Sequence, residues 1–366
     1  MRSPATPSPD VAIVGGGIVG CSAAAFLAEA GARIELFERD ELAGAASGRN
    51  SGSIQHPFDP VLAELHAETL RHFAELEGFD LPSAPAGVLL VATEPRAIEG
   101  TAAAIERDQP ELEPVLLDPR GVRDLERALG DGLWGCRLRT GYPVRPAAAT
   151  LAFAERARRA GAALHEGRRA RPWVAGGKLR GVRAGGRQHS AGAVLVCAGP
   201  WAPQVVDSTL AWRPIAPIWG VVLDVSVDDP PRHVVEQLGV EEVAAGAGAP
   251  ESIFSLVAAG GGVSVGSTFL VEEPDPVAWI PELRRRAQRF LPAIARAHVQ
   301  GARACARPVS LDGRPLVGQL ATEGLWLAAG HGPWGISTGP ATGRLAADAL
   351  LGRTEVRHEL SAARFP

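Results

Sequence analysis

The stretch Val11-Ala12-Ile13-Val14-Gly15-Gly16-Gly17-Ile18-Val19-Gly20 constrains this chain more than any other. An apolar run of strand length, Val11 to Val14, leads into glycines at 15, 17 and 20. A helical pattern then covers Ile18 to Ala30, and a second apolar run, Arg33 to Phe37, ends in Glu38. In such a strand–turn–helix–strand unit each glycine has a task. Gly15 permits the tight turn, Gly17 lets the backbone approach a pyrophosphate, and Gly20 lets helix and strand touch. The first helical turn, with Ile18 and Val19, offers free N–H groups and the positive end of the helix dipole to an anion. Glu38, eighteen residues past Gly20 and followed by Arg39, is placed to accept hydrogen bonds from a ribose diol. Dinucleotide binding is the expectation, with a ligand-free structural βαβ unit as the competing reading.

At 366 residues the chain is long enough for two domains. With 46% hydrophobic and 21% charged residues it reads as an ordinary soluble globular protein. A net charge of −4 gives no electrostatic reason to expect nucleic acid or an anionic membrane as partner. The four cysteines, at 21, 136, 197 and 305, are widely spaced without a C-x-x-C, which points to free thiols in a reduced, cytoplasmic compartment. Residues 1–9 are rich in Pro and Ser with no apolar core and read as a disordered lead-in rather than a signal peptide. No apolar run approaches the roughly 18 residues needed to span a bilayer. The histidines show no metal-ligand spacing, so no metal site is expected.

Further along, residues 43–52 (AGAASGRNSG) have loop composition and follow the second strand, so they are placed to lie along a bound pyrophosphate. Helical spacing marks 60–76, 98–107, 118–129, 145–160 and 276–290, the last with Arg284, Arg285 and Arg286 expected on a solvated face. Residues 163–190 read as a small antiparallel meander, with Gly-Gly turns at 176–177 and 185–186. Strands are expected at 87–93, 193–197, 215–227, 252–268 and 325–329, and a closing helix at 334–351. The nucleotide-binding elements lie at both ends and in the middle, so a second domain must be inserted in two pieces. The expected fold class is α/β: a Rossmann-like domain from 10–80, 144–209 and 304–366, with an α+β antiparallel-sheet substrate domain from 81–143 and 210–303.

Four motifs now stand in order. They are the glycine fingerprint, Ala46-Ser47-Gly48-Arg49-Asn50-Ser51-Gly52, Val194-Leu195-Val196-Cys197-Ala198-Gly199-Pro200-Trp201, and Ala306-Arg307-Pro308 with Asp312-Gly313, which leads to Gly330-His331-Gly332-Pro333-Trp334-Gly335. Together they resemble the FAD-dependent D-amino-acid oxidase superfamily, in the branch of glycine oxidase, sarcosine oxidase and D-amino-acid dehydrogenases. The resemblance covers essentially the whole chain and implies FAD as cofactor, a Rossmann-like FAD-binding domain, and oxidation of the C–N bond of a small amino acid or N-alkyl amino acid. It also implies oxygen or a quinone or carrier as electron acceptor.

Residue by residue, the resemblance assigns Ser47 to Gly52 and Ala198, Gly199 and Trp201 to the cofactor. It gives Gly332, Trp334, Gly335, Ile336, Ser337 and Thr338 to the flavin end, where a helix start stabilises negative charge on the ring. Arg307 matches the arginine that grips the substrate carboxylate through two parallel hydrogen bonds; the bland alternative is a surface arginine paired with Asp312. Cys305, seven residues before Asp312, matches the covalent flavin attachment site of monomeric sarcosine oxidases, while glycine oxidases bind FAD noncovalently, so both modes stay open. Ser264 stands where sarcosine oxidases carry an oxygen-activating lysine, and the chain's one lysine is Lys178. Tyr142 is the one tyrosine, so the tyrosine lid of classical D-amino-acid oxidases has no counterpart on the inserted sheet, and Trp219, Phe254 and Phe269 are candidates to wall the pocket. His56 and His331 are candidates to face substrate or flavin. Three other readings stay open: a 2-hydroxy-acid oxidoreductase on the same fold, an FAD-binding subunit of a larger dehydrogenase, and an NAD-binding module without flavin.

Overall fold

Val11–Val14 lies at the centre of a six-stranded sheet, paired in parallel with Ala193–Val196 on one side and Ile34–Phe37 on the other. The computed structural model describes residues 10–209, 211–239 and 252–365, so the 1–9 lead-in lies outside it. Leu325–Ala329 and Ala163–His165 extend the sheet in parallel, and Leu316–Gln319 closes one edge antiparallel. Alternation along the first strand separates two cores. Val11 and Ile13 face the helices, whereas Ala12 and Val14 meet Ala170, Val182 and Ala184 of a three-stranded antiparallel layer. All four residues are buried, as expected of a parallel strand covered on both faces.

Helix Ile18–Glu29 packs on the closing helix, Gly335–Leu350, and on Ala148–Arg159. A Cβ at Gly343 would stand 2.2 Å from Ser22 Oγ, so its absence sets how closely the first and last helices approach. Two other helices start where aspartates stand ready. The Asp59 carboxylate accepts from Val61 and Leu62 N–H ahead of Pro60–Ala74, and Asp118 accepts from Gly121 N–H ahead of Pro119–Leu125.

The second sheet has eight strands in the order His298–Ser310, Ile215–Ser226, Gly262–Thr268, Ser252–Ala259, Val234–Gln237, Val88–Ala92, Trp134–Leu138 and Val115–Leu117. It is antiparallel except where Val234–Gln237 runs parallel to Val88–Ala92, the seam joining the two sequence-distant pieces. The expected boundary at 303/304 falls inside His298–Ser310, which pairs with Ile215–Ser226 along its length. That strand therefore belongs wholly to this sheet. Residues 163–165 leave the expected meander because they pair with Glu35–Phe37, and residues 43–52 contain a helical turn, Ala46–Arg49. The three arginines also part ways. Arg285 is exposed and pairs with Glu282, Arg284 donates to the Ile294 and Ala295 carbonyls, and Arg286 is only partly exposed.

Candidate active site

The two sheets enclose a cavity of about 540 Å³ that runs from the first glycine turn to the start of the closing helix. Its volume lies in the range of small-molecule sites. At one end, Gly15 adopts φ +116°, and a Cβ there would stand 2.3 Å from the Cys197 carbonyl oxygen. Gly17 precedes helix Ile18–Glu29, and no side chain of its own caps that helix. Ser47 Oγ instead reaches across to accept from Ile18 N–H at 3.0 Å, which leaves its own proton free to turn towards an anion. Glu38 is fixed from behind, accepting from Gly16 N–H at 2.7 Å and Asp40 N–H at 2.9 Å. The Arg39 guanidinium lies 3.9 Å over the Trp201 ring, forming a flat stacked wall. Ala198, Gly199, Asn50 and Ser51 complete this part of the lining.

At the other end stands Arg307. Its guanidinium donates to Ser267 Oγ at 2.5 Å and to the Thr268 carbonyl at 2.9 Å, and lies 4.4 Å from the Phe269 ring centroid. Gly220 on the neighbouring strand makes room, since a Cβ there would stand 2.5 Å from an Arg307 terminal nitrogen. Among the described residues Arg307 forms no ion pair; Asp312 pairs with Arg364 instead, which overturns the surface-pair alternative. Burial pulls the Arg307 pKa down, as expected of a desolvated cation without a counter-ion.

The closing helix opens at Gly335 without a side-chain cap, and Gly332, Trp334, Gly335, Ile336 and Ser337 line the cavity beside it. Ser337 Oγ accepts from Gln55 N–H at 3.0 Å. His331 lines the same end, 3% exposed, with Nε2 buried and without a hydrogen-bond partner. A glycine cradle, a carboxylate held ready, two helix starts whose own N-cap residues provide no side-chain cap and an orphaned imidazole nitrogen fit a dinucleotide with a polar ring system.

Several expected site residues do not line the cavity. His56 is held behind it: its N–H donates to Thr140 Oγ1 and its ring meets His66 edge-on at 5.5 Å. Gly20, Gly48 and Gly52 serve close packing, since a Cβ would stand 2.0 Å from the Gly15 oxygen, 2.3 Å from the Ala43 oxygen and 2.3 Å from the Val144 oxygen respectively. Arg49 offers its carbonyl to Arg303 Nε and Cys305 Sγ, and Thr338 Oγ1 donates to Trp334 O within the helix. Phe269 lines the cavity, but Trp219 does not, and Phe254 stacks on Phe290 in the core. Ser264 receives a hydrogen bond from Arg303, itself paired with Asp224, so a neutralised guanidinium occupies that neighbourhood.

Conversely, Gln55, Glu236, Ser255, Ser267 and residues 169–172 line the cavity without having been expected. The available signal was the lone acid in Val234-Val235-Glu236-Gln237, a charge that directly follows two buried valines. No group of three or more potential metal ligands occurs among the described residues, and no described helix is long and apolar enough to cross a membrane. All four cysteines are free and buried.

Two buried histidines give the fold a pH dependence. His66, whose Nδ1 lies 3.3 Å from the Ser337 carbonyl, and His331 are both pulled down to about 4, chiefly by burial. In the unfolded chain each returns to the ordinary 6.5. Between about 6.5 and 4 the unfolded state therefore holds more protons, and stability falls as pH drops through that window. Thermal unfolding at pH 7 and pH 5 is expected to show a lower midpoint at pH 5, with a smaller drop in His66→Gln. An equal drop in the variant would remove His66 as a source.

Comparison with known proteins agrees with this geometry. The family model described as DAO, FAD dependent oxidoreductase, matches residues 10–349. A glycine oxidase of Bacillus licheniformis is 26% identical over 364 residues, covering 94% of this chain and 93% of that protein. The crystal structure of glycine oxidase from Bacillus cereus ATCC 14579 superposes with a TM-score of 0.80 at 25% identity, covering 95% of this chain and 96% of that one. Iminodiacetate oxidase from Chelativorans sp. BNC1 shares the fold, with a TM-score of 0.80 at 24% identity over 96% of this chain and 98% of that one. With the glycine cradle, the fixed acid and the open helix starts all on one cavity, the chain belongs to the DAO family of FAD-dependent oxidoreductases.

Proposed function

We propose that this enzyme oxidises a small amino acid or N-alkyl amino acid at the carbon bearing nitrogen, with Arg307 holding the substrate carboxylate. The observation that carries the reading is a desolvated guanidinium, without a carboxylate partner among the described residues, in the wall of the cavity that fits the cofactor. When bound, FAD supplies the two-electron acceptor for such an oxidation. This chain's residues would hold it at both ends: Glu38 on the ribose, the Gly15–Gly17 turn on the pyrophosphate, and the Gly335 helix start at the ring. Arg307 orients the substrate, and the hydrogen bonds to Ser267 and Thr268 fix the guanidinium so that little side-chain freedom is lost on binding. His331, neutral at working pH, adds a hydrogen-bonding nitrogen without a charge. The glycine oxidases similar to this chain support the amine reading over a hydroxy-acid one.

The test is a steady-state panel of glycine, sarcosine, D-alanine, D-proline and 2-hydroxyglutarate, run in air and with an artificial acceptor under nitrogen. Turnover on one or more of the amines is expected, and turnover confined to the hydroxy acid would overturn the proposal. The two acceptor conditions separate oxidase from dehydrogenase.

The same reading takes the cofactor as noncovalent. Burial pushes the Cys305 thiol up, away from the reactive thiolate, and its Sγ lies 3.7 Å from the Arg49 carbonyl oxygen. Acid precipitation of the purified protein is expected to release all its flavin into the supernatant. A yellow pellet that turns colourless in Cys305→Ser would establish the thioether instead.

A further inference from the structure

Arg307 is not the only charge that lines the cavity without a partner of opposite sign. Glu236 also lines it, and among the described residues its carboxylate forms no ion pair; its one hydrogen bond is from Gln55 Nε2 at 3.1 Å. Register places the two groups on one face of the eight-stranded sheet. Glu236 stands opposite Ser255, Ser255 opposite Gly266, and Gly266 opposite Val222, so these form one transverse row. The Arg307 guanidinium reaches over Gly220 to Ser267 and Thr268, next to Gly266 on the same strand. Two strand spacings, about 10 Å, separate that strand from the one bearing Glu236. The Glu236 side chain shortens the gap, and a small zwitterion with a charge-assisted hydrogen bond of about 2.8 Å at each end matches what remains.

Gln55 fixes where along the cavity this happens. Its side chain holds Glu236, and its backbone N–H donates to Ser337 Oγ in the first turn of the closing helix. The carboxylate is thus two hydrogen bonds from the helix start that faces the reacting end.

We propose that Glu236 is the second jaw of the substrate clamp: it receives the substrate's nitrogen while Arg307 receives the carboxylate, and so selects amines over hydroxy acids of the same shape. This rests on the amino-acid reading above and adds to it the residue that recognises the amine. A substrate with hydroxyl in place of ammonium leaves the acid facing a neutral group, and one with a second carboxylate brings like charges together. Burial pushes the Glu236 carboxyl up, the expected direction for an acid that awaits a cation in a desolvated wall.

The test uses two inert ligands of equal size, 2-aminoisobutyrate and 2-hydroxyisobutyrate. Neither has a hydrogen on its α-carbon, so binding to the FAD-loaded enzyme can be measured by calorimetry without turnover. The wild type is expected to prefer the amine by about 10- to 100-fold. Glu236→Gln, an isosteric change, should bring that ratio close to one, with the hydroxy acid bound as well as before or better. Glu236→Asp should restore part of the preference. An unchanged ratio in Glu236→Gln, or an equal loss for both ligands, would overturn the assignment. If neither ligand binds the wild type, the amino-acid reading fails first and the clamp with it. If both bind equally well to the wild type, the carboxylate grip stands and the amine jaw falls.

Discussion

Arg307→Ala is expected to raise KM for carboxylated amines steeply while leaving the folded protein and its flavin content largely intact. The guanidinium makes its hydrogen bonds to a hydroxyl and a carbonyl rather than to a carboxylate, so its removal strands no buried charge in the substrate-free protein. The cost falls on the complex, where the substrate carboxylate would be left desolvated and unpaired. Truncating one partner of such a pair costs about 2–5 kcal/mol. At about 1.4 kcal/mol per tenfold, kcat/KM should fall by roughly 30-fold to several thousand-fold. Arg307→Lys keeps the charge but loses the planar fork, and should lie between. Steady-state kinetics with the best amine of the panel checks this. Because the Ser267 and Thr268 contacts already hold the fork in place, an amine lacking a carboxylate should be turned over equally poorly by wild type and variant. An unchanged KM for the carboxylated substrate would remove Arg307 from the site.

How much of this was legible in the sequence follows from the range of the interactions. The cofactor cradle is local: strand, glycines, helix and Glu38 lie within about thirty residues, and each position is dictated by a turn or a close approach that only certain residues allow. Arg307 was legible through the resemblance alone, as the arginine that matches the Arg-Pro motif ahead of Asp312-Gly313. Gly20 has the packing role the fingerprint gave it, whereas the glycines at 48 and 52 carried the right residue type for a packing reason rather than a ligand-contact reason, a distinction that needs the carbonyl each one touches. His56 illustrates the limit. It lies next to Gln55, which lines the cavity, but Thr140 holds its backbone and His66 its ring, and both partners come from elements far along the chain. Ser255 was invisible for the same reason, and Glu236 showed only as a lone acid in a strand, with nothing local to say what it faces. Glu236 sits in a four-residue strand and Ser255 in an eight-residue one, and only the pairing of those strands sets the two side by side in the cavity wall. The expected boundary at 303/304 cuts a strand thirteen residues long, because its mixed polar and apolar run gives no sign of which sheet it will join.

Gly15→Ala should yield protein that is largely colourless and less stable, and a control elsewhere in the chain separates the two contributions. Gly15 combines a left-handed φ of +116° with a neighbour, the Cys197 carbonyl oxygen, 2.3 Å from where a Cβ would be. Gly176 has φ +60° with nothing within 4 Å of its would-be Cβ. Both substitutions incur the backbone term, roughly 1–2 kcal/mol for an L-residue in the left-handed region. At Gly15 alone the added methyl meets backbone that cannot rotate away, and overpacking of that kind adds about 1–3 kcal/mol. Relief requires the first turn to move off the strand Ala193–Val196, and the same turn carries Gly16 N–H, which fixes Glu38, and Gly17 at the helix start. Gly15→Ala should therefore lose flavin as well as thermal stability, whereas Gly176→Ala should lose about 1–2 kcal/mol with flavin stoichiometry unchanged. Flavin absorbance relative to protein absorbance, read beside the unfolding midpoint, tests both. Full flavin content in Gly15→Ala would mean that the cofactor phosphates are held elsewhere, because a turn displaced from the Cys197 carbonyl cannot keep its N–H groups directed at them.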